Sequence, residues 1–300
     1  MPASATFDSL MEHLNAGERF SREQVLELAS APDILPLGML ADALRRRIHG
    51  TRVTYLRVAS CAFDRSFADA VPASAREVRV TGTPDTLSVA LTAVGAARAV
   101  AGERTVAGFS WGDVERFAEQ SGKPLADVLA QLRAQGLDAL AEVPLDQVTD
   151  ATAALERLTA AGFTQIRLTI EKAPAADRTA LLLRAGELRD TCQAIQSISP
   201  LPSALNAFRP TTGYEDVKMV AVARLAAPNI ASVQVDWERY GPKLAQVALT
   251  FGVDDVYGVS ASDDAPEGRR RAPLEEVRRN IEAARFSPVE RDGRFHVAAS

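Results

Sequence analysis
The sequence is poor in the residues on which many chemistries rest. Its 300 residues include two cysteines, three histidines and two tryptophans, and the aromatic fraction is 6%. Cys61 and Cys192 stand far apart, which excludes a disulfide framework and suits a reducing cytoplasm, the location expected for the chain. His13, His49 and His296 are equally dispersed. None has a second ligand at helical spacing, so a histidine-based metal site is not expected. No apolar run reaches the length of a membrane span. Met1-Pro2-Ala3-Ser4-Ala5-Thr6 lacks the basic-then-apolar order of a signal peptide. Positive charge is not in excess: the net charge is -5, which gives nucleic-acid binding no electrostatic support. No P-loop or H-E-x-x-H is present, and no nucleophile–base pair is readable.

What is present is an ordinary globular composition, 47% hydrophobic and 24% charged, in a chain long enough for one large core. Residues 1–50 read as a helical segment packed on the remainder of the chain. Ser21 and Gln24 have capping-box spacing. Pro36 suits a first turn, and Leu37, Leu40, Ala41 and Leu44 recur at helical spacing behind it. Arg45-Arg46-Arg47 read as a solvated helix end, stopped by Gly50.

From residue 51 strands and helices alternate. Strands are expected at 51–58, 77–81, 104–109, 138–142, 164–170, 195–199, 231–236 and 254–258. Helices are expected at 85–100, 113–121, 125–135, 147–161, 175–193, 213–226, 241–251 and 273–285. Pro124 and Pro174 mark helix starts, Gly136 and Gly162 helix ends, and Thr212 with Glu215 a further capping box. Several strands, such as Val78-Arg79-Val80 and Ile166-Arg167-Leu168-Thr169-Ile170, read as apolar on both sides. This alternation implies an α/β fold with a parallel sheet, and eight strands fit a (β/α)8 TIM-type barrel over residues 51–300. A doubly wound alternative is weakened because no G-x-G-x-x-G follows the first strand.

In such a barrel the site lies at the C-terminal ends of the strands. Those ends are read as Cys61 in a loop after the first strand, Gly82 with Pro84, Ser110 with Asp113, Glu142, Glu171, Pro200, Asp236 with Trp237, and Asp254 with Asp255. This is an acidic, partly aromatic mouth with few basic groups. Glu171, Asp236 and Asp255 are the candidate acid–base groups. Ser110, Asp113, Glu142, Trp237 and Asp254 join Glu171 as candidate ligand contacts. Each has a plain structural reading as well: a cysteine as a small buried hydrophobe, a tryptophan as packing, carboxylates as caps or ion pairs.

A more specific signal runs from Phe208-Arg209-Pro210 through Asp216-Val217-Lys218-Met219-Val220-Ala221-Val222-Ala223-Arg224-Leu225 and Pro228-Asn229-Ile230. It continues at Trp237, at Tyr240-Gly241-Pro242-Lys243-Leu244-Ala245-Gln246-Val247-Ala248-Leu249 and at Phe251-Gly252-Val253-Asp254-Asp255. These residues resemble the C-terminal half of the radical-SAM barrel enzymes of futalosine-pathway menaquinone synthesis. That family comprises aminofutalosine synthase and dehypoxanthine futalosine cyclase, with the deazaflavin-cofactor (FO) synthase subunit as a cousin. Leu35-Pro36-Leu37-Gly38-Met39-Leu40-Ala41-Asp42, Phe109-Ser110-Trp111-Gly112-Asp113-Val114, Ile198-Ser199-Pro200-Leu201-Pro202 and Pro288-Val289-Glu290-Arg291-Asp292 extend the likeness over most of the chain. It adds Arg209 to the candidate ligand contacts.

The resemblance implies a 4Fe-4S cluster and S-adenosylmethionine as cofactors, the cluster held by a C-x-x-x-C-x-x-C motif. Here the sequence departs. Cys61-Ala62-Phe63 is similar to the end of that motif, but the two earlier cysteine positions are Val58 and Thr54. One thiolate does not hold a cluster. The family's Gly-Gly before the sulfonium ligand is reduced to Thr81-Gly82, and its glycine-rich fourth strand end is Ala141-Glu142-Val143-Pro144. The expectation is therefore a cluster-less relative, a pseudoenzyme of menaquinone biosynthesis needing neither cofactor. It would act as an accessory, partner or ligand-binding protein for a complete sibling enzyme or as a homodimer. The alternatives are a non-radical acid–base enzyme acting on an aminofutalosine-like substrate, or a radical-SAM enzyme whose unusual cluster is shared between two chains.

Overall fold
Polar and apolar residues alternate along the strands, and the alternation builds the two faces of a closed barrel. The computed structural model describes residues 6–68, 70–202, 213–268 and 270–297. Eight parallel strands form the ring: β1 Arg52–Ala62, β2 Glu77–Thr81, β3 Thr105–Ser110, β4 Ala139–Pro144, β5 Ile166–Ile170, β6 Ile195–Pro200, β7 Ser232–Asp236 and β8 Asp255–Ser260. Each pairs with its neighbours in sequence, and β1 closes the ring by pairing with both β8 and β2.

Three helices precede the barrel: α1 Phe7–Ala16, α2 Arg22–Ser30 and α3 Ile34–His49. Between and after the strands run α4 Leu87–Ala101, α5 Trp111–Ser121, α6 Leu125–Gln135, α7 Ala151–Ala160, α8 Ala175–Thr191, α9 Tyr214–Ala226, α10 Trp237–Leu249 and α11 Pro273–Ala283. The Ser21–Gln24 capping box forms as the spacing implies. Thr212 lies outside the described residues; Gly213 is the N-cap of α9 and makes no side-chain cap bond. Among the described residues, no helix is long and apolar enough to cross a membrane.

Four expectations about the extent of the elements and of burial along them need correction. Cys61 is not in a loop: β1 runs on to Ala62 because Val58–Ala62 pair with Glu77–Thr81. The triple arginine is not wholly solvated: Arg45 is fully buried, donates to the Gly50 and Arg52 carbonyls, and lies on the Phe286 ring. The seventh barrel helix begins at Trp237 rather than near Gly241. Gly241 (φ 69, ψ 159) breaks it into two segments, and Pro242, lacking an N–H, suits the first turn of the second. Finally a ninth strand, β9 Ser287–Glu290, pairs with Arg52–Tyr55 of β1. It is four residues long and contains Pro288, features that mask a strand in sequence.

The strands are not apolar on both sides. Val78, Val80, Ile166, Leu168, Val233 and Val235 face the helices and join the main apolar core. The intervening polar residues face inward. Arg167 of β5 lies over the Tyr257 ring of β8, and Tyr257 donates to Glu77 of β2 at 2.5 Å. Those strands are not neighbours in the ring, so the contacts cross the barrel interior. Leu56, Val58 and Tyr257 form a small apolar cluster of their own there.

Candidate functional site
The C-terminal strand ends carry a linked set of charges rather than a bare acidic rim. Glu142 of β4 is buried, and its Oε1 accepts from Arg79 Nη2 of β2 at 3.2 Å and from Arg239 Nη2 of α10 at 2.7 Å. Arg239 also reaches Glu171, 3.6 Å away beyond the end of β5. Glu171 in turn accepts from Gln147 Nε2 at 2.7 Å, and Lys172 donates to the same glutamine's oxygen at 2.8 Å. Arg79, Arg167 and Arg239 thus correct the expectation of few basic groups. Arg239 stands between the two carboxylates and links them.

Asp236 ends β7 and caps α10, accepting from the amides of Glu238 and Arg239. Its second oxygen is 3.5 Å from Arg167 Nη2. Burial, and then the neighbouring charge of Asp236, push the Glu238 carboxyl above its usual range. Trp237 packs in the core at the start of α10. Ser110 and Asp113 are occupied with each other as the capping box of α5, and Asp113 also pairs with Arg116 at 3.1 Å. Arg209 lies outside the described residues.

Asp254 and Asp255 are not part of the mouth. β8 begins at Asp255, so both sit at the opposite, N-terminal end of the barrel. Asp254 is engaged by Arg224 and the Val233 amide. Asp255 accepts two bonds from Arg291, at 2.6 and 2.7 Å, one from Thr54 at 2.5 Å and one from Gln234 at 2.8 Å. Both carboxylates are therefore structural. The structure brings Glu142 and Glu171 together through Arg239 and leaves Asp236 on the neighbouring Arg167.

Cys61, the residue that resembles the last cysteine of a cluster motif, has an unexpected orientation. Cys61 and Ala59 share one face of β1. Leu56 and Val58, of opposite parity to them, point inward. Cys61 is 3% exposed, packs in the outer core, and directs its sulfur towards the Ala70 carbonyl of the link before β2. Burial pushes its thiol pKa up, so the neutral form is favoured. Of the two other motif positions, Val58 packs on Tyr257, and Thr54 is bonded to Asp255. The glycine after β2 is also covered: a Cβ on Gly82 (φ +86) would lie 2.9 Å from the Phe63 ring. This donor set does not fit a 4Fe-4S cluster, which requires thiolates. Among the described residues, no group of three or more histidine, cysteine and carboxylate side chains is placed to hold a metal ion.

Residues that a reading of strand ends alone misses are Arg79, Arg167, Arg239, Tyr257 and Glu77. A signal for two of them lies in the strands themselves: a charged residue between two apolar ones, as in Val78-Arg79-Val80 and Ile166-Arg167-Leu168, takes the opposite face of the strand from its neighbours.

Comparison with known proteins places this geometry in context. Residues 201–299 match the family described as CofH/MqnC C-terminal region. The chain is 26% identical, over 359 aligned positions, to aminodeoxyfutalosine synthase of Thermus thermophilus, covering 95% of this chain and 94% of that protein. It is 25% identical over 317 positions to 5-amino-6-(D-ribitylamino)uracil–L-tyrosine 4-hydroxyphenyl transferase of Archaeoglobus fulgidus, with 86% and 92% covered. In three dimensions it is similar to methylornithine synthase, with a TM-score of 0.64 at 16% identity over 93% of this chain and 97% of the other, a likeness of fold alone.

Proposed function
We propose, from the premise that this chain is a distant homologue of aminodeoxyfutalosine synthase and of the FO-synthase-like radical-SAM enzymes, that it works without an iron–sulfur cluster, as a ligand-binding or accessory relative of those enzymes. The observation that carries this reading is the placement of Cys61: its thiol is buried on the helix-facing side of β1, turned away from the barrel interior. Without cluster or S-adenosylmethionine, the work left to the barrel is recognition. The strand-end groups Arg79, Glu142, Arg239 and Glu171 offer both signs of charge within one network, which suits a small polar molecule with donors and acceptors. The partner is a complete sibling enzyme of the same pathway or a second copy of this chain; neither nucleic acid nor membrane enters the reading. Calorimetric titration with S-adenosylmethionine under anaerobic conditions tests it. No saturable heat is expected, and capture of the native chain should bring down a radical-SAM sibling or a second copy. Stoichiometric S-adenosylmethionine binding overturns the reading.

A second reading, a non-radical acid–base enzyme of the futalosine pathway, is favoured by one observation. Glu238 stands at the start of α10 beside Asp236 with its carboxyl held towards the protonated form, as a general acid requires. A purified chain that binds no futalosine-type nucleoside and no chorismate-derived aryl ether eliminates it.

A further inference from the structure
Inside the barrel, below the charged mouth, lies a small cavity of about 30 Å³ lined by Arg167, Ser197, Gln234, Glu77, Tyr257 and Arg291. Arg167 is 7% exposed, yet its Nε and Nη1 have no hydrogen-bond partner among the described residues. Its third nitrogen reaches Asp236 only at 3.5 Å, and the guanidinium plane rests 4.0 Å from the centre of the Tyr257 ring. Ser197, the register partner of Arg167 on β6, is fully buried with its hydroxyl equally unpartnered.

The other interior cations are satisfied. Arg291 forms a two-bond pair with Asp255, and Arg79 bonds Glu142. The remaining carboxyl on the cavity wall is Glu77, which burial holds towards its neutral acid. Arg167 is therefore a buried cation whose carboxylate contact, to Asp236, is single and long and leaves two of its nitrogens unpartnered, an arrangement that is costly unless something else pairs with them. The cavity is small, with room for one or two particles the size of water.

We propose that this cavity is a halide site, in which a chloride ion is held by the unpartnered N–H groups of Arg167 and the hydroxyl of Ser197. Gln234 donates its amide N–H to Asp255, and its oxygen faces the cavity as an acceptor. One water beside the ion, donating to both, completes the set. The ion neutralises Arg167 and ties β5 to β6 inside the ring.

The test uses the full chain. Crystals soaked in sodium bromide should show an anomalous peak between Arg167 and Ser197. In solution, chloride and bromide should raise the melting temperature more than gluconate at the same ionic strength. Ser197→Ala, a mild change expected to fold, should raise the half-saturating chloride concentration roughly tenfold. Arg167→Met should abolish both the peak and the halide-specific stabilisation. A cavity that shows water alone with no anomalous signal overturns the proposal, as does a halide effect that persists unchanged in Ser197→Ala.

Discussion
Arg291 and Asp255 meet in a two-bond ion pair at the N-terminal end of the barrel, with Nε to Oδ1 at 2.6 Å, Nη2 to Oδ2 at 2.7 Å, and both side chains almost wholly shielded from water. The pair joins the segment after β9 to the interior of β8, so the C-terminal end of the chain is keyed into the ring. Removing one partner leaves the other buried and unpaired. Arg291→Met should therefore cost about 3–5 kcal/mol in urea unfolding. Replacing both partners, Arg291→Met with Asp255→Leu, should recover a large part of that loss.

Cys61 should behave as a core side chain. Its thiol is buried and its pKa raised by that burial. An aromatic disulfide reagent should titrate Cys192, which is half-buried, in the native chain and reach Cys61 only on unfolding. Rapid alkylation of Cys61 in the native protein would show that the link over it opens readily.

The order of strands and helices was legible because proline, glycine and capping residues punctuate this chain well. Leu125–Gln135 and Glu77–Thr81 fall at the bounds that the pattern implies. The barrel interior was not legible. A charged residue flanked by two valines, such as Arg79, gives no sign of its inward direction until strands β2, β5 and β8 are brought round to face one another. Asp255 was misplaced although the expected strand, 254–258, already begins at Asp254: the first residues of a barrel strand lie at its N-terminal end, and the register of β8 with β7 sets Asp255 there. Within the candidate site, Glu142, Glu171 and Asp236 were readable as strand-end acids, whereas the arginines that pair with them come from distant strands and from α10.

Two glutamates should give opposite pH signatures. Burial raises the Glu77 carboxyl above its unfolded value, so its contribution to stability is complete below about pH 4.3 and is lost as pH rises through the folded pKa. Glu77→Gln should remove that loss, its stability relative to the parent growing as pH increases from about 4. Burial opposes ionisation of Glu290 as well, but hydrogen bonds from Arg57 and Arg76 outweigh it and hold this carboxyl below the usual range. Its contribution is present above about pH 4.3 and is lost as pH falls through the folded value, so Glu290→Gln should lose most near neutrality. Denaturant melts between pH 3 and 8 separate the two.

At the mouth, Glu142 and Arg239 should differ in weight although they touch. Arg239 is 38% exposed, and Arg239→Ala should cost about 1 kcal/mol or less. Glu142→Ala leaves buried Arg79 without its carboxylate and should cost about 3 kcal/mol or more. If the strand-end network is the ligand site, both changes should weaken ligand binding alike despite their unequal effect on unfolding.

The most direct measurement of the central claim is iron and acid-labile sulfide per chain after anaerobic reconstitution, with the absorbance spectrum recorded with and without S-adenosylmethionine. A chain whose one matching cysteine is buried on the outer face of β1 should retain no iron above background, and Cys61→Ala should leave that value unchanged. A near-stoichiometric cluster that responds to S-adenosylmethionine and is lost in Cys61→Ala would contradict the account and restore radical chemistry to this barrel.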